Sequence, residues 1–234
     1  FFTGEFSRVG PNTAKEICAN AAVLPNMKPA EVSREIAEKL IAGIKKTKII
    51  APTTDCITPI GEELLEKGLK KEVNAEFYAA CSRPASVYRG NPFVVECAIA
   101  YGGDQPAEEP MNVLRFANKV PLLFQQGACA VTKSLINTNW RSYGLSQSTG
   151  ALPMGPITIV IHLASVWVPF TSESKEAIAH YPEIIKEVKL AIQECGRKLS
   201  SYIYKKRRIG EELKKRGYIE KYIPHIAEAL KELV

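Results

Sequence analysis

Apolar residues recur along this chain with two periods, and the change from one to the other outlines its parts. Near the start, Pro11-Asn12-Thr13 predicts a first helix over Thr13 to Ala22, which Leu24-Pro25-Asn26 breaks. Pro29 then opens a longer helix in which Val32, Ile36, Leu40 and Ile44 return every fourth residue on one stripe. Two helices joined by a Pro/Asn turn and entered through SRVGPNTA suggest a helix-two-turn-helix module. A Gly-bearing turn ahead of a helix offers backbone amides to a phosphate; the plainer reading is a packing unit without a ligand. The stretch IIAPTTDCITP, Ile49 to Pro59, reads as a linker, and Ile60 to Gly68 as a short helix closed by Gly68.

Beyond it the period shortens to that of strands. Pro92 to Tyr101 is β-branched and aromatic ahead of the turn Gly102-Gly103, and Val113 to Phe124 predicts a second strand, with Pro121 marking an end or an edge. Ala128 to Asn137 predicts a helix, Gly144 to Pro156 a flexible loop, and Ile157 to Val168 a strand. The last third is helical. Pro182 suits a first helical position, and Ile184, Val188, Ile192, Cys195, Leu199 and Ile203 follow at spacings of three or four. Gly210 or Gly217 is expected to bend or end that helix, and Pro224 to break a final one over Ile219 to Val234. A sheet with interposed helices is an α+β or split α/β layer.

Composition narrows the class without naming a function. At 46% apolar and 24% charged, the 234 residues match an ordinary globular protein and exclude a disordered tail or collagen. The longest apolar run, Pro156 to Phe170, is too short and too polar to span a bilayer. The start, FFTGEFSRVG, has no features of a signal peptide and looks cut from a longer protein. The net charge of +6 sits entirely in residues 196–234, which hold eleven Lys and Arg against five Glu. Such a block attracts nucleic acid or an acidic partner, or is simply a solvated helix face. Six scattered cysteines without a CxxC pair, beside three histidines, argue against zinc and read as reduced cysteines of an intracellular protein.

A search for chemistry finds no phosphate-binding glycine loop and no nucleophile elbow. His162 lies inside the apolar strand and reads as a satisfied core or edge histidine. Glu62-Glu63 and Glu108-Glu109 are adjacent, so their side chains point apart. No catalytic residue and no metal site are assigned. One stretch stands out: in Phe170-Thr-Ser-Glu-Ser-Lys175, a polar loop follows a strand and places Lys175 at the expected entrance of a helix. An amine beside free helix amides can hold a phosphate oxygen, yet the helix dipole disfavours a cation there.

The blocks EFSRVGPNTA, DCITPIGEELLEKGLKK, SRPASVYRGNPFVVECAIAYGG, VLRFANKVPLLF, NWRSYGL, VPFTSESKEAIAHYPEI and GRKLSSYIYKKRR occur in collinear order along nearly the whole chain. In them the chain resembles the B-subunit family of DNA topoisomerase VI, the archaeal type IIB enzymes. The resemblance implies an α+β fold in two parts. Residues 1–46 would be most of a helix-two-turn-helix module, and residues 47–234 an α/β-sandwich transducer like domain two of a small-subunit ribosomal protein, with long C-terminal helices from about Pro182. It implies one part of an ATP-dependent enzyme that relaxes and decatenates DNA by double-strand passage. ATP and Mg²⁺ would be held mainly by an ATPase domain outside this chain and by the A subunit. The family's γ-phosphate-contacting lysine falls on Lys175. Implied partners are double-stranded DNA and the A subunit, in an A2B2 heterotetramer in the cytoplasm at the nucleoid, with no membrane. Arg8, Lys15 and Lys28, and Lys205, Lys206, Arg207 and Arg208, are then candidate DNA-phosphate contacts. The competing readings are a non-enzymatic nucleic-acid-binding module and a meiotic B-like scaffold.

Overall fold

The structure, a computed structural model, describes residues 1–6, 8–50 and 54–232, with side chains through residue 228. A short helix α1 (Phe2–Glu5) precedes α2 (Pro11–Asn20) and α3 (Arg34–Lys46). The helix expected from Pro29 begins later. Pro29–Glu31 makes one 3-10 turn, and the α-helix starts only after Ser33, whose hydroxyl accepts from the Ile36 N–H at 3.4 Å. The two longer helices approach closely at Gly43, where a β-carbon would lie 2.8 Å from the Ile17 carbonyl oxygen and 2.9 Å from Ala21 Cβ. Thr47 ties them together: its hydroxyl accepts from Asn20 Nδ2 at 2.8 Å and donates to the Gly43 carbonyl at 2.9 Å. The linker expected over residues 49–59 falls partly on 51–53, outside the described residues.

Helix α4 (Glu62–Glu72) runs through Gly68 instead of ending there. Leu65 and Leu69 keep its buried face going, and one interior glycine costs only about 1 kcal/mol. The strands are β1 (Phe77–Ser82), β2 (Ser86–Tyr88), β3 (Asn91–Tyr101), β4 (Asn112–Ala117), β5 (Val120–Pro121), β6 (Ser146–Gln147), β7 (Pro153–Met154) and β8 (Ile157–Ser165). The main sheet runs β1-β3-β8-β4-β5, with β2 also paired to β3. β3 is antiparallel to β1, β2 and β8, whereas β4 is parallel to β8 through a crossover that includes helix α5 (Ala130–Ile136).

The continuous apolar character of β3 and β8 follows from burial on both faces. Odd-numbered residues, Val95, Cys97 and Ile99 of β3 and Ile157, Ile159 and Ile161 of β8, pack in the large core with Leu135 of α5, Trp140 and the start of α6 (Pro182–Glu232). Even-numbered Ala98, Ala100 and Val160 face the other way, onto Leu65 and Leu69 of α4.

Three further expectations are corrected. Val113 to Phe124 is a hairpin, not one strand: Asn118 and Lys119, at φ 47° and 68°, reverse the chain, and Pro121 sits on the edge strand as its missing N–H requires. Residues 144–156 are not a featureless loop but contain the paired strands β6 and β7. The terminal helices are one helix of 51 residues, about 77 Å long, with Gly210, Gly217 and Pro224 inside it. The run Glu211 to Arg216 consists of strong helix formers, which offsets the glycines, and a proline removes one helical hydrogen bond without forcing an end. Strands β1 and β2 had no counterpart in the sequence reading.

Candidate functional site

Lys175 does not stand at a helix entrance. It lies at the exposed tip of the segment between β8 and α6, seven positions before the helix begins, with φ 54°. SESKEAIA reads as helical by propensity, but Ala177 and Ile178 are buried and pair back toward Phe170 as a short ladder. The Thr171 N–H donates to the Ala177 carbonyl at 2.9 Å and the Ala179 N–H to the Pro169 carbonyl at 2.8 Å. The tip closes where the Lys175 N–H donates to the Ser172 carbonyl at 3.2 Å. A left-handed conformation at a non-glycine residue costs about 1–2 kcal/mol, and such strain persists only where neighbours enforce it.

Both stems of this loop are fastened. On the β8 side, Asn118 donates through Nδ2 to the Ser165 carbonyl at 2.8 Å and accepts the Ser165 N–H through Oδ1 at 2.9 Å. The Ser165 hydroxyl reaches the Pro92 carbonyl at 3.0 Å. Two residues on, Trp167 stacks at 6.1 Å on Tyr88, and Tyr88 meets Tyr181 at 4.3 Å. On the far side, the Ala130 N–H donates to the Ile178 carbonyl at 2.9 Å, tying the return arm to α5. Tyr181 leads directly into Pro182. A displacement of the tip therefore has a short, well-bonded path to the first turn of α6. The Asn of the RFANKVPL block, which fixes the loop's base, was missed from the sequence, although an Asn closing an apolar strand is a turn signal.

Helix α6 has two halves. Ile184, Val188, Ile192, Cys195, Leu199 and Ile203 are buried on the sheet, and Arg83 reaches Glu187 at 3.4 Å and Glu194 at 3.3 Å. From residue 204 to 228 no residue is buried, so roughly 43 Å of helix, to Glu232, extends past its packed part. Ile209, Leu213, Ile219, Ile223 and Ile226 are about half exposed or more and fall in one arc of the projecting half.

The predicted cations are all exposed, but they do not converge. Lys15 lies on α2, whereas Arg8 sits in the turn between α1 and α2 and Lys28 just before the 3-10 turn at Pro29. Lys205, Lys206, Arg207 and Arg208 are consecutive on α6, and at 100° per residue they point around the helix, so only one or two can face a single phosphate backbone. Lys206 pairs with Glu76, whose carboxylate also accepts from the Tyr202 hydroxyl at 3.0 Å, and the bonds from Lys206 and Tyr202 hold the Glu76 carboxyl below its ordinary value. Arg208 lies 3.3 Å from Glu212.

His162 is buried and fully bonded, as expected of a core histidine. Its Nε2 accepts the Lys119 N–H at 3.0 Å, so Nδ1 carries the proton and donates to Glu96 Oε2 at 2.7 Å. Glu96 also accepts the Ile60 N–H at 2.8 Å and the Gly61 N–H at 2.6 Å, capping the start of α4. Burial alone would raise the Glu96 carboxyl, but the donors His162, Ile60 and Gly61 outweigh it and hold it below its ordinary 4.5. The pair is a bolt between the sheet and α4. Among the described residues, no group of three or more His, Cys, Asp or Glu is placed to hold a metal, and no helix is long and apolar enough to cross a membrane.

Comparison with known proteins agrees with this architecture. The family described as the transducer of the topoisomerase VI B subunit matches residues 52–215. The B subunit of type 2 DNA topoisomerase 6 from Methanococcoides burtonii is 47% identical over 230 residues, which cover 98% of this chain and 37% of that protein. Its counterpart from Archaeoglobus fulgidus is 44% identical over 234 residues, 100% of this chain and 39% of that one. The chain thus spans little more than a third of the length of the curated relatives it matches. Among solved structures, the B subunit of DNA gyrase from Myxococcus xanthus aligns at a TM-score of 0.39 and 18% identity, over 58% of this chain and 38% of that one, too low a score to carry any argument.

Proposed function

This chain belongs to the topoisomerase VI B-subunit family, and from that premise we propose that it transmits the nucleotide state of an ATPase domain to a DNA-cleaving A subunit. Lys175 is the sensor in this reading. Its exposed amine fits a terminal phosphate oxygen, and the rest of the nucleotide site, with its Mg²⁺, belongs to residues outside this chain. ATP supplies a γ-phosphate that is present before hydrolysis and gone afterwards. A ligand biases two orientations only by its difference in affinity for them, and one charge-assisted bond, about 1.5–3 kcal/mol, is worth roughly 10- to 150-fold. The observation that carries the proposal is the bonded path from the strained tip at Lys175, through stems fixed on Asn118 and α5, into a helix whose second half projects unburied.

The projecting arc of Ile209, Leu213, Ile219, Ile223 and Ile226 is the face offered to the A subunit, in an A2B2 assembly that passes one duplex through another in the cytoplasm, at the nucleoid. Lys205 and Arg208, about 60° apart around α6, with Arg8, Lys15 and Lys28 of the N-terminal segment, make sequence-independent phosphate contacts to that DNA, while Arg207 faces the other side of the helix. Lys206, already paired with Glu76, contributes least. Lys175→Ala in the full-length B subunit, assayed with its A subunit, is expected to leave duplex binding within about twofold and to lower strand passage per ATP at least tenfold. Unchanged relaxation in that variant would refute the assignment.

A further inference from the structure

Beneath the anchored half of α6, three thiols meet that the proposed function does not use. Cys81 of β1 and Cys97 of β3 are paired across the two strands, and both face Cys195 of α6. Cys195 Sγ lies 3.4 Å from Cys81 Sγ and 3.5 Å from the Cys97 carbonyl oxygen, while Cys81 Sγ reaches the Ala191 carbonyl at 3.4 Å. All three are almost entirely buried. We propose that Cys81 and Cys195 form a peroxide-responsive modification site, closing to a disulfide that fastens strand β1 to helix α6.

Geometry selects the pair, and the hydrogen bonds around it favour one order of events. The two sulfurs are in contact, and a disulfide needs them only about 1.3 Å closer, within reach of small side-chain rotations. Because the Cys195 thiol donates to Cys81, that hydrogen bond above all, then the one with Cys97, and the Lys198 ammonium as well, draw the Cys81 thiol toward its ionised form against the effect of burial. The Cys195 thiol moves the other way, chiefly because it gives that same bond. Cys81 is therefore the nucleophile and Cys195 the resolving thiol. The pair lies close to the sheet edge: β1 is the outermost strand on its side, and Lys198, whose amine holds the Ala80 carbonyl at 2.7 Å, is half exposed beside it.

The electrons balance with hydrogen peroxide as the oxidant. The Cys81 thiolate attacks one peroxide oxygen, an S–O bond forms, the O–O bond breaks, and hydroxide leaves to take a proton as water. Cys195 then attacks the sulfenic sulfur: the S–S bond forms, the S–O bond breaks, and the Cys195 proton leaves with the oxygen as a second water. Two thiols lose two electrons and one peroxide gains them. This chemistry does not depend on the role assigned to Lys175.

The full-length B subunit, treated with sub-millimolar hydrogen peroxide, alkylated while folded and digested with trypsin, provides the test. Cys81 lies in peptide 72–89, Cys195 in 190–197 and Cys97 in 90–115, so each partner is identified separately. The expected product joins 72–89 to 190–197 with the loss of two hydrogens, disappears on reduction, persists in Cys97→Ser, and is absent in Cys81→Ser and Cys195→Ser. Oxidation confined to the exposed Cys56, a Cys81–Cys97 link, or Cys81 carried to sulfinic acid without a cross-link would each overturn the proposal, and the wild-type map alone decides among them.

Discussion

Glu96→Gln tests whether a buried carboxylate, and not apolar packing alone, holds α4 to the sheet. The carboxylate accepts three N–H groups, from Ile60, Gly61 and His162, at 2.6–2.8 Å. Glutamine has one acceptor oxygen. Its best placement keeps that oxygen on Ile60 and His162, the two donors that share Oε2, and turns its NH₂ toward the Gly61 N–H. One charge-assisted bond, about 1.5–3 kcal/mol, is then lost, and two buried donors confront each other at a further cost of about 1–3 kcal/mol. The sum, about 2.5–6 kcal/mol, lowers the melting midpoint by roughly 5–20 °C in a domain of this size. The pH dependence carries a second signature. The folded-state pKa of Glu96 is depressed, so its stabilisation is fully present above the ordinary 4.5 and is lost as pH falls through the folded value. The variant, with no proton to take up there, should lose less stability on acidification below pH ~4.5 and approach the wild type. Urea unfolding at pH 7 and through the acid range measures both effects. A Glu96→Gln protein with the wild-type midpoint at pH 7 and the wild-type acid slope would refute the bolt.

Two further perturbations probe the loop and the lever. Asn118→Ala removes both bonds to Ser165, at 2.8 and 2.9 Å, and should speed amide exchange across residues 166–181 about tenfold or more while leaving β3 protected; unaltered exchange there would show that the stem is held by something else. Gly196→Ala puts a β-carbon 2.7 Å from Cε2 of Tyr143, an overpacking worth about 1–3 kcal/mol, so a lowered melting midpoint that Tyr143→Leu restores is expected.

What the sequence disclosed depended on how far each signal reached along the chain. β3 and β8 were legible because burial on both faces leaves long apolar runs, and the buried stripe of α6 because it repeats over twenty residues. β1, Phe77-Tyr-Ala-Ala-Cys-Ser, was not, since its small residues give no alternation until they lie beside β3. The turn at Asn118-Lys119 lacks the glycine that flags such reversals. Gly210, Gly217 and Pro224 were given local weight as breakers that neighbouring helix formers override. Lys175 was singled out by its charge, but for the wrong reason: the helix assumed to start there is a ladder pinned by Ala177 and Ile178. The Glu96–His162 bolt joins residues 66 apart. Glu96 is the one acidic or basic residue of β3 and His162 the one of β8, and that shared oddity was the one clue that could have paired them.

On the proposed function, the division of α6 into a packed and a projecting half determines what a small event at Lys175 achieves. The packed stretch, Ile184 to Ile203, is about 30 Å long and the projection about 43 Å, so a rotation of about 5° about the packed end moves the far end by roughly 4 Å. That motion is passed on only as far as the helix stays stiff. Gly210 and Gly217 have nothing within 4 Å of their would-be β-carbons, and Pro224 removes one backbone bond, so all three are points of compliance. Stiffness is greatest between Pro182 and Lys206, where side chains as far as Ile203 grip the sheet and Lys206 pairs with Glu76. The loop supplies the bias and the packed half the fulcrum, while the compliant half lets the helix fit its partner in more than one orientation.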